Sequence, residues 1–215
     1  MRYMISDLEA TSMSAVIRIA SIGDAAQIAA IYAPFVINTP TSFEMEPPTV
    51  EEMAARIAST VQQYPWLVCV NSDQIMGYAY ASAFRSRAAY QWSADTTVYT
   101  HEQFRRMGVG RGLYNSLLQI LRLQGFYNAC AGITLPNPGS EGLHRAVGFE
   151  QIALYRRIGY KLGRWHDVSW WQRSLQPDSS PASPPIPISG VVDMELFASV
   201  LEAGTRCLHA RSDES

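Results

Sequence analysis

VYTHEQFRRMGVGRGLYNSLLQIL, residues 98–121, runs from a strand end through a basic, glycine-rich turn into a helix. Val98, Tyr99 and Thr100 suit a pleated surface. Further on, Leu113, Leu117, Ile120 and Leu121 recur at helical spacing and form one apolar face. Between them stands Arg105-Arg106-Met107-Gly108-Val109-Gly110, followed by Arg111. Its glycines permit positive φ and close approach of a ligand to the backbone. The first turn of the following helix has N–H groups without helical acceptors and the positive end of the dipole, both suited to a phosphate oxygen. Arg105, Arg106 and Arg111 add charge to the same place. Each hydrogen bond to a charged oxygen is worth about 1.5–3 kcal/mol, so several converging amides suffice for micromolar binding. The plainer alternative is a solvated basic turn. Neither GxxxxGK(S/T) nor GxGxxG with its downstream acid is present, so a pyrophosphate site here is of another kind.

Outward from this centre the chain alternates strand and helix signals. VIRIA (16–20) reads as a short strand, and Asp24 as the cap of a helix carrying Ile28, Ile31, Tyr32 and Phe35. A turn-rich loop (38–48) holds an isolated Phe43, and Thr49-Val50-Glu51-Glu52 is a capping box that opens a helix to about Val61. Residues 65–84 read as a β-hairpin turning at Ser72-Asp73. A basic-aromatic loop (85–92) precedes the strand that ends at Thr100. Residues 128–135 form a further strand, 136–149 a loop and short helix, and two closing strands span about 150–158 and 167–174. The expected order is βααββ–β–α–β–α–ββ, one mixed α/β domain over 15–175, preceded by an extension (1–14). From 176 to 215 the character changes. LQPDSSPASPPIPISG (175–190) has five prolines and four serines and excludes regular structure, while 191–204 reads as a terminal amphipathic helix. Whether that tail docks, binds a partner or stays disordered is left open by its pattern.

The 215 residues suffice for one domain with extensions, and the 47% apolar and 17% charged composition is that of a soluble globular protein. A net charge of −2 argues against broad attraction to nucleic acid or anionic lipid. The three cysteines lack metal or CxxC spacing, and Cys69 and Cys130 lie in apolar runs, as buried thiols in a reducing compartment do. The beginning shows no signal-peptide pattern, and no run of about 18 apolar residues provides a membrane span, so the cytoplasm is the expected location.

The strand AYQWSADTTVYT (89–100) carries Asp95 in its middle, where an unpaired carboxylate is costly. Alternation puts Asp95, Thr97 and Tyr99 on one face, able to line a polar surface. The plainer readings are a partner for Arg85 or Arg87, or a solvated edge residue.

The turn at 105–110, together with IRIASIGDAAQIAAIY (17–32), TSFEMEPPT (41–49), QQYPWLV (62–68), AAYQWSADTTVYT (88–100), LYNSLLQILRLQGF (113–126), ITLPNPGSEGLHRAVGF (133–149) and GYKLGRWHDVSWWQ (159–172), resembles the GCN5-related N-acetyltransferase (GNAT) superfamily, and within it the phosphinothricin acetyltransferases. The resemblance implies the GNAT fold, a mixed central β-sheet flanked by helices. It implies transfer of acetyl from acetyl-CoA directly to the α-amino group of phosphinothricin or a close analogue, as a detoxifying or resistance activity. It also implies a homodimer and no metal. Arg105 to Arg111 would hold the pyrophosphate, Asn137 the pantetheine arm, and the backbone of Val98, Tyr99 and Thr100 the pantetheine amides, one N–H polarising the thioester carbonyl.

An α-ammonium must lose a proton before it attacks a thioester, and a nearby carboxylate can take it. Asp95 stands where the family has glutamate, so the same resemblance makes it base or amine anchor, one methylene short. Phe43, Arg85, Arg87, Tyr90, Thr97 and Tyr99 match the acceptor pocket, Arg85 in place of a usual lysine; guanidinium donors suit a phosphinate or carboxylate. His144 replaces a tyrosine near the CoA sulfur, as donor to the leaving thiolate or else as a packed surface histidine. His166-Asp167 invites a metal or triad reading, but without a second ligand-spaced histidine or a nucleophile elbow it reads as structural. The rivals are a methionine sulfone or sulfoximine acetyltransferase, a non-catalytic acyl-CoA-binding protein, and a protein-lysine acetyltransferase.

Overall fold

The computed structural model describes residues 15–177 and 183–209; the expected N-terminal extension (1–14) lies outside the described residues. Seven strands form one mixed sheet in the order β1 (Val16–Ile19), β2 (Trp66–Asn71), β3 (Gln74–Ala83), β4 (Ser93–Thr100), β5 (Asn128–Thr134), β7 (Arg164–Ser174), β6 (Glu150–Lys161). All neighbours are antiparallel except β4 and β5. The helices are α1 (Ala25–Asn38), α2 (Val50–Thr60), α3 (Val109–Gln124), α4 (Pro138–Ala146), α5 (Ser189–Val192) and α6 (Leu196–Thr205).

The period of 2 along each strand divides the core between the two faces of the sheet. Trp66, Val68, Val70 and Tyr78 face α1 and α2, packing with Ile28, Met53 and Ile57. Leu67, Cys69, Met76, Ala79 and Ala94 face α3, whose expected stripe of Leu113, Leu117, Ile120 and Leu121 is fully buried. The thiols of Cys69 and Cys130 are free and buried, as expected, and burial pushes them up to about 12 and about 11.

Two boundaries differ from the sequence reading. Asp24 does not cap α1 with its side chain. It accepts from the Ser21 N–H at 2.7 Å and pairs with Arg18 at 2.7 Å, so the cap lies one turn earlier, before a short 3-10 turn. The closing strands meet in one long hairpin, ending at Lys161 and resuming at Arg164. Its irregular middle hid this: the register slips between Tyr155 and Gly159, and the Arg157 N–H donates to the Asp167 carboxylate at 2.7 Å across the bulge. His166 bonds the Lys161 carbonyl at 3.0 Å, so both residues of the His-Asp pair are committed to the hairpin.

The tail docks. Its helical pattern is split between α5 and α6, and Ile188, Val191 and Phe197 join the α3 face of the core. Gly112 of α3 and Gly204 of α6 touch so closely that a Cβ on Gly204 would sit 2.6 Å from the Gly112 carbonyl oxygen. Ser116 Oγ donates to the Val200 carbonyl at 3.0 Å beside this contact. Residues 183–187 of the proline-rich run carry no regular structure, and are held by the Trp92 indole N–H on Ser183 O at 2.8 Å and by Gln124 on Ile186 O at 2.9 Å.

Candidate active site

The feature that makes a site is a fork in the sheet. β4 and β5 pair only over Ser93–Asp95 and Asn128–Cys130, after which β4 continues to Thr100 without β5 beside it. Such an edge leaves N–H and C=O groups for an extended ligand to pair with. The fork opens into a cleft of about 750 Å³. One wall is Val98, Tyr99 and Thr100; at the mouth stand Arg105, Arg106, Gly108, Val109, Gly110 and Arg111, and Asn137 lies opposite. These expected residues are therefore brought together, all but Met107, which is buried and turned to the core.

The turn has the conformation its glycines permit. Arg106 and Gly108 have φ of +63° and +78°, and the first helical bond of α3 runs from the Gly112 N–H to the Gly108 carbonyl at 2.8 Å. The N–H groups of Val109, Gly110 and Arg111 therefore have no helical acceptor. Three arginines and a helix N-terminus make a donor set suited to a diphosphate. Asn137 has a second duty: its side-chain oxygen accepts from the Ser140 N–H at 3.2 Å and caps α4, with Pro138 at the first helical position.

Asp95 sits at the crotch of the fork. Its Oδ1 is buried without a hydrogen-bond partner among the described residues. Burial pushes its carboxyl up to about 6, against the opposing pull of the Arg85 charge. Its register partner Cys130, with Ser93, lines a second, smaller cavity of about 190 Å³ walled by Phe84, Arg85, Tyr90, Tyr155 and Trp170. The Arg85 guanidinium lies over the Phe84 ring at 4.3 Å and the Trp170 ring at 5.5 Å. Arg87, by contrast, lines neither cavity and caps the 3-10 turn Ala88–Tyr90.

Of the remaining expected residues Tyr99 lines the cleft, whereas Thr97 and Phe43, like Asp95, line neither cavity. Thr97 shares the Asp95 face and stands in register with Tyr80 of β3. Tyr99 packs edge-on against Tyr32 at 5.1 Å and near Phe35 at 4.9 Å, joining the α1 side to the cleft. Phe43 lies over the β6 bulge, where a Cβ on Gly159 would meet its ring at 2.2 Å. The Lys161 ammonium clamps this loop, donating to the carbonyls of Val36 and Ser42 at 2.6 Å each.

His144 is not a surface residue. It is buried, with Nδ1 donating to the Ser140 carbonyl at 2.7 Å and Nε2 left to accept from the Tyr114 hydroxyl at 2.9 Å. Burial lowers its pKa, so the ring is neutral, and it gives no atom to the cleft wall that Ser140 and Leu143 line. Sequence reasoning missed Phe35 and the Thr39-Pro40-Thr41 turn, which complete the cleft; Phe35 carries Arg105 over its ring at 5.7 Å. Phe35 fits the helical stripe of a core residue, so periodicity offered no sign of it. Among the described residues there is no metal-ligand cluster, and no helix is long and apolar enough to cross a membrane.

Comparison with known proteins agrees with this geometry. The model of the acetyltransferase (GNAT) domain matches residues 17–170. A phosphinothricin N-acetyltransferase of Streptomyces viridochromogenes is 36% identical over 77% of this chain and 90% of its own length. An L-methionine sulfoximine/L-methionine sulfone acetyltransferase of Pseudomonas paraeruginosa is 33% identical over 78% and 99%. Among solved structures, a GNAT phosphinothricin acetyltransferase from Sinorhizobium meliloti in complex with AcCoA superposes with a TM-score of 0.75 at 36% identity, covering 80% of this chain and 94% of that one. By the domain match and these relatives, the chain belongs to the GNAT acetyltransferase family and is similar to its phosphinothricin acetyltransferases.

Proposed function

We propose that this protein acetylates the α-amino group of phosphinothricin or a closely related amino acid, using acetyl-CoA. The observation that carries this reading is Asp95: a buried carboxyl with an unpartnered oxygen, raised to about 6, at the point where β4 and β5 part, its neighbours Ser93 and Cys130 lining a small cavity headed by an arginine. The cleft fits acetyl-CoA by its donors. The free amides of Val109, Gly110 and Arg111, with Arg105, Arg106 and Arg111, suit the pyrophosphate, and the open edge of β4 suits the amide-bearing arm. When bound, acetyl-CoA supplies the activated acetyl group.

The chain's own residues do the rest. Above pH 6 Asp95 is ionised and anchors the acceptor ammonium, then takes its proton so that the amine can attack. Arg85 meets the acceptor's phosphinate or carboxylate, while Phe84, Tyr90, Tyr155 and Trp170 exclude water around it. A backbone N–H of Val98–Thr100 polarises the thioester carbonyl. Buried Tyr114 and His144 brace the inner wall, a positioning role for His144 in place of the direct one. The raised thiols of Cys69 and Cys130 provide no thiolate at neutral pH, which supports direct transfer over a thiol acyl-enzyme.

A methionine sulfoximine or sulfone head group is the second reading, supported by the relative that bears that name and by the same arginine-headed cavity. Such an activity would detoxify these compounds in the cytoplasm. We also propose a homodimer. Strand β6 is a sheet edge of 12 residues with exposed Ile152, Tyr155, Ile158 and Tyr160, a surface a second copy would cover.

The deciding experiment is thiol release from acetyl-CoA with phosphinothricin, methionine sulfoximine, methionine sulfone and a panel of free amino acids. Acceptor-dependent release with the first of these is expected. Tight acetyl-CoA binding with no release above the hydrolysis rate for any acceptor would overturn the enzymatic reading in favour of a binding module.

A further inference from the structure

The domain match ends at residue 170, yet the chain continues across the back of α3, and its last described residues lie against the turn that opens it. Three contacts meet there. The His209 backbone N–H donates to the Met107 carbonyl at 3.2 Å. The His209 imidazole lies 2.9 Å from the Arg106 carbonyl through Nε2 and 3.3 Å from the Cys207 carbonyl through Nδ1, and the shorter contact assigns the proton to Nε2. A Cβ on Gly108 would come within 2.0 Å of the Cys207 carbonyl oxygen, so the tail backbone fills the space behind that glycine.

The trans peptide unit turns these contacts into a statement about the cleft. Its N–H and C=O point in opposite directions. Holding the Arg106 and Met107 carbonyls on the tail side therefore directs the N–H groups of Met107 and Gly108 away from the tail. The cleft lies on that other side: Arg106, Gly108 and Gly110 line it, and no described residue of the tail does. The turn needs such support, since Arg106 is a non-glycine residue at φ +63°. The tail is itself anchored, by the Gly112–Gly204 contact and by the Ile17 N–H on Thr205 Oγ1 at 3.2 Å.

We propose that the C-terminal segment of this chain is the scaffold of its pyrophosphate turn, with His209 as a positioning residue that aims the Met107 and Gly108 amides at the anion, beside those of Val109, Gly110 and Arg111. The proposal rests on the reading of the cleft as the acetyl-CoA site. It assigns to residues beyond the family's domain a part in binding the acyl donor, and none in the chemistry at Asp95.

The test uses the full chain with His209→Ala and His209→Gln, the latter keeping an N–H donor. Acetyl-CoA binding is measured by calorimetry. Turnover is compared between acetyl-CoA and S-acetyl-N-acetylcysteamine, a thioester without the pyrophosphate. His209→Ala should weaken acetyl-CoA binding and raise its KM about tenfold, the worth of one well-placed hydrogen bond, with kcat within about twofold. The same variant should turn over the truncated thioester at the wild-type rate, and His209→Gln should recover most of the loss. Wild-type acetyl-CoA affinity in the alanine variant overturns the proposal. So does an equal loss with both donors, which would mean general disruption. Wild-type protein that binds no acetyl-CoA overturns the reading of the cleft, and this proposal with it.

Discussion

Asp95 combines the catalytic role proposed for it with a cost in stability. Its folded pKa of about 6 lies above the ordinary value of 3.8, so the folded state binds the proton more tightly than the unfolded chain. Stability from this group is therefore full below about pH 4, falls as pH rises, and is lost above about 6. Asp95→Asn should raise stability at pH 7 by on the order of 2 kcal/mol, read from denaturant midpoints at pH 4 and pH 7. The same variant should lower kcat/KM by roughly 10²–10⁴ and abolish the acid limb near pH 6 that the wild-type profile should show. A variant that is stabler but equally active would remove Asp95 from the mechanism. Arg85→Ala should raise KM for the phosphinate about tenfold or more and leave KM for acetyl-CoA unchanged, whereas Arg87→Ala should leave both within about twofold. At this scale the acid in the strand and the arginine-glycine turn were legible, because each breaks a local preference. The difference between Arg85 and Arg87 was not, because which loop arginine faces the cavity depends on Trp170, 85 residues further along.

Elements show the same division between local and distant causes. The capping box at Thr49, the Ser72-Asp73 turn and the α3 stripe follow from nearest neighbours, and they form as read. The bulged β6–β7 hairpin defeated an alternation rule, since the slip at 155–159 moves side chains to the other face. Lys161 gave no local sign of its reach to Val36 and Ser42. Lys161→Met would strand two buried carbonyls, and should cost about 2–4 kcal/mol in thermal or urea unfolding. Because that ammonium holds the loop bearing Phe43, the acceptor KM should rise while acetyl-CoA binding stays intact. The α3–α6 contact is equally strict. Gly204→Ala puts a methyl against Ser116 Oγ at 2.1 Å and the Gly112 carbonyl, and should cost about 1–3 kcal/mol in unfolding experiments.

The whole molecule is a two-faced sheet whose α3 side is closed by its own tail. Proline and serine content spoke for irregular backbone, which 183–188 confirms, but composition carries no information on docking. That depends on Ile188, Val191 and Phe197 finding the α3 face, a tertiary match no window of sequence contains. The exposed β6 edge gives a prediction at this scale: Ile158→Lys should shift the particle mass from two chains to one in sedimentation or light scattering. A monomeric wild type would contradict the proposed dimer. The fork between β4 and β5 is also a ruler. From Asp95 to Thr100 the strand advances roughly 17 Å at the usual rise per residue, and its ends are the proposed base and the approach to the arginine-glycine turn. Acyl donors are thereby sorted by arm length: one truncated by a single amide unit should dock at the turn, stop short of Asp95 and act as a competitive inhibitor.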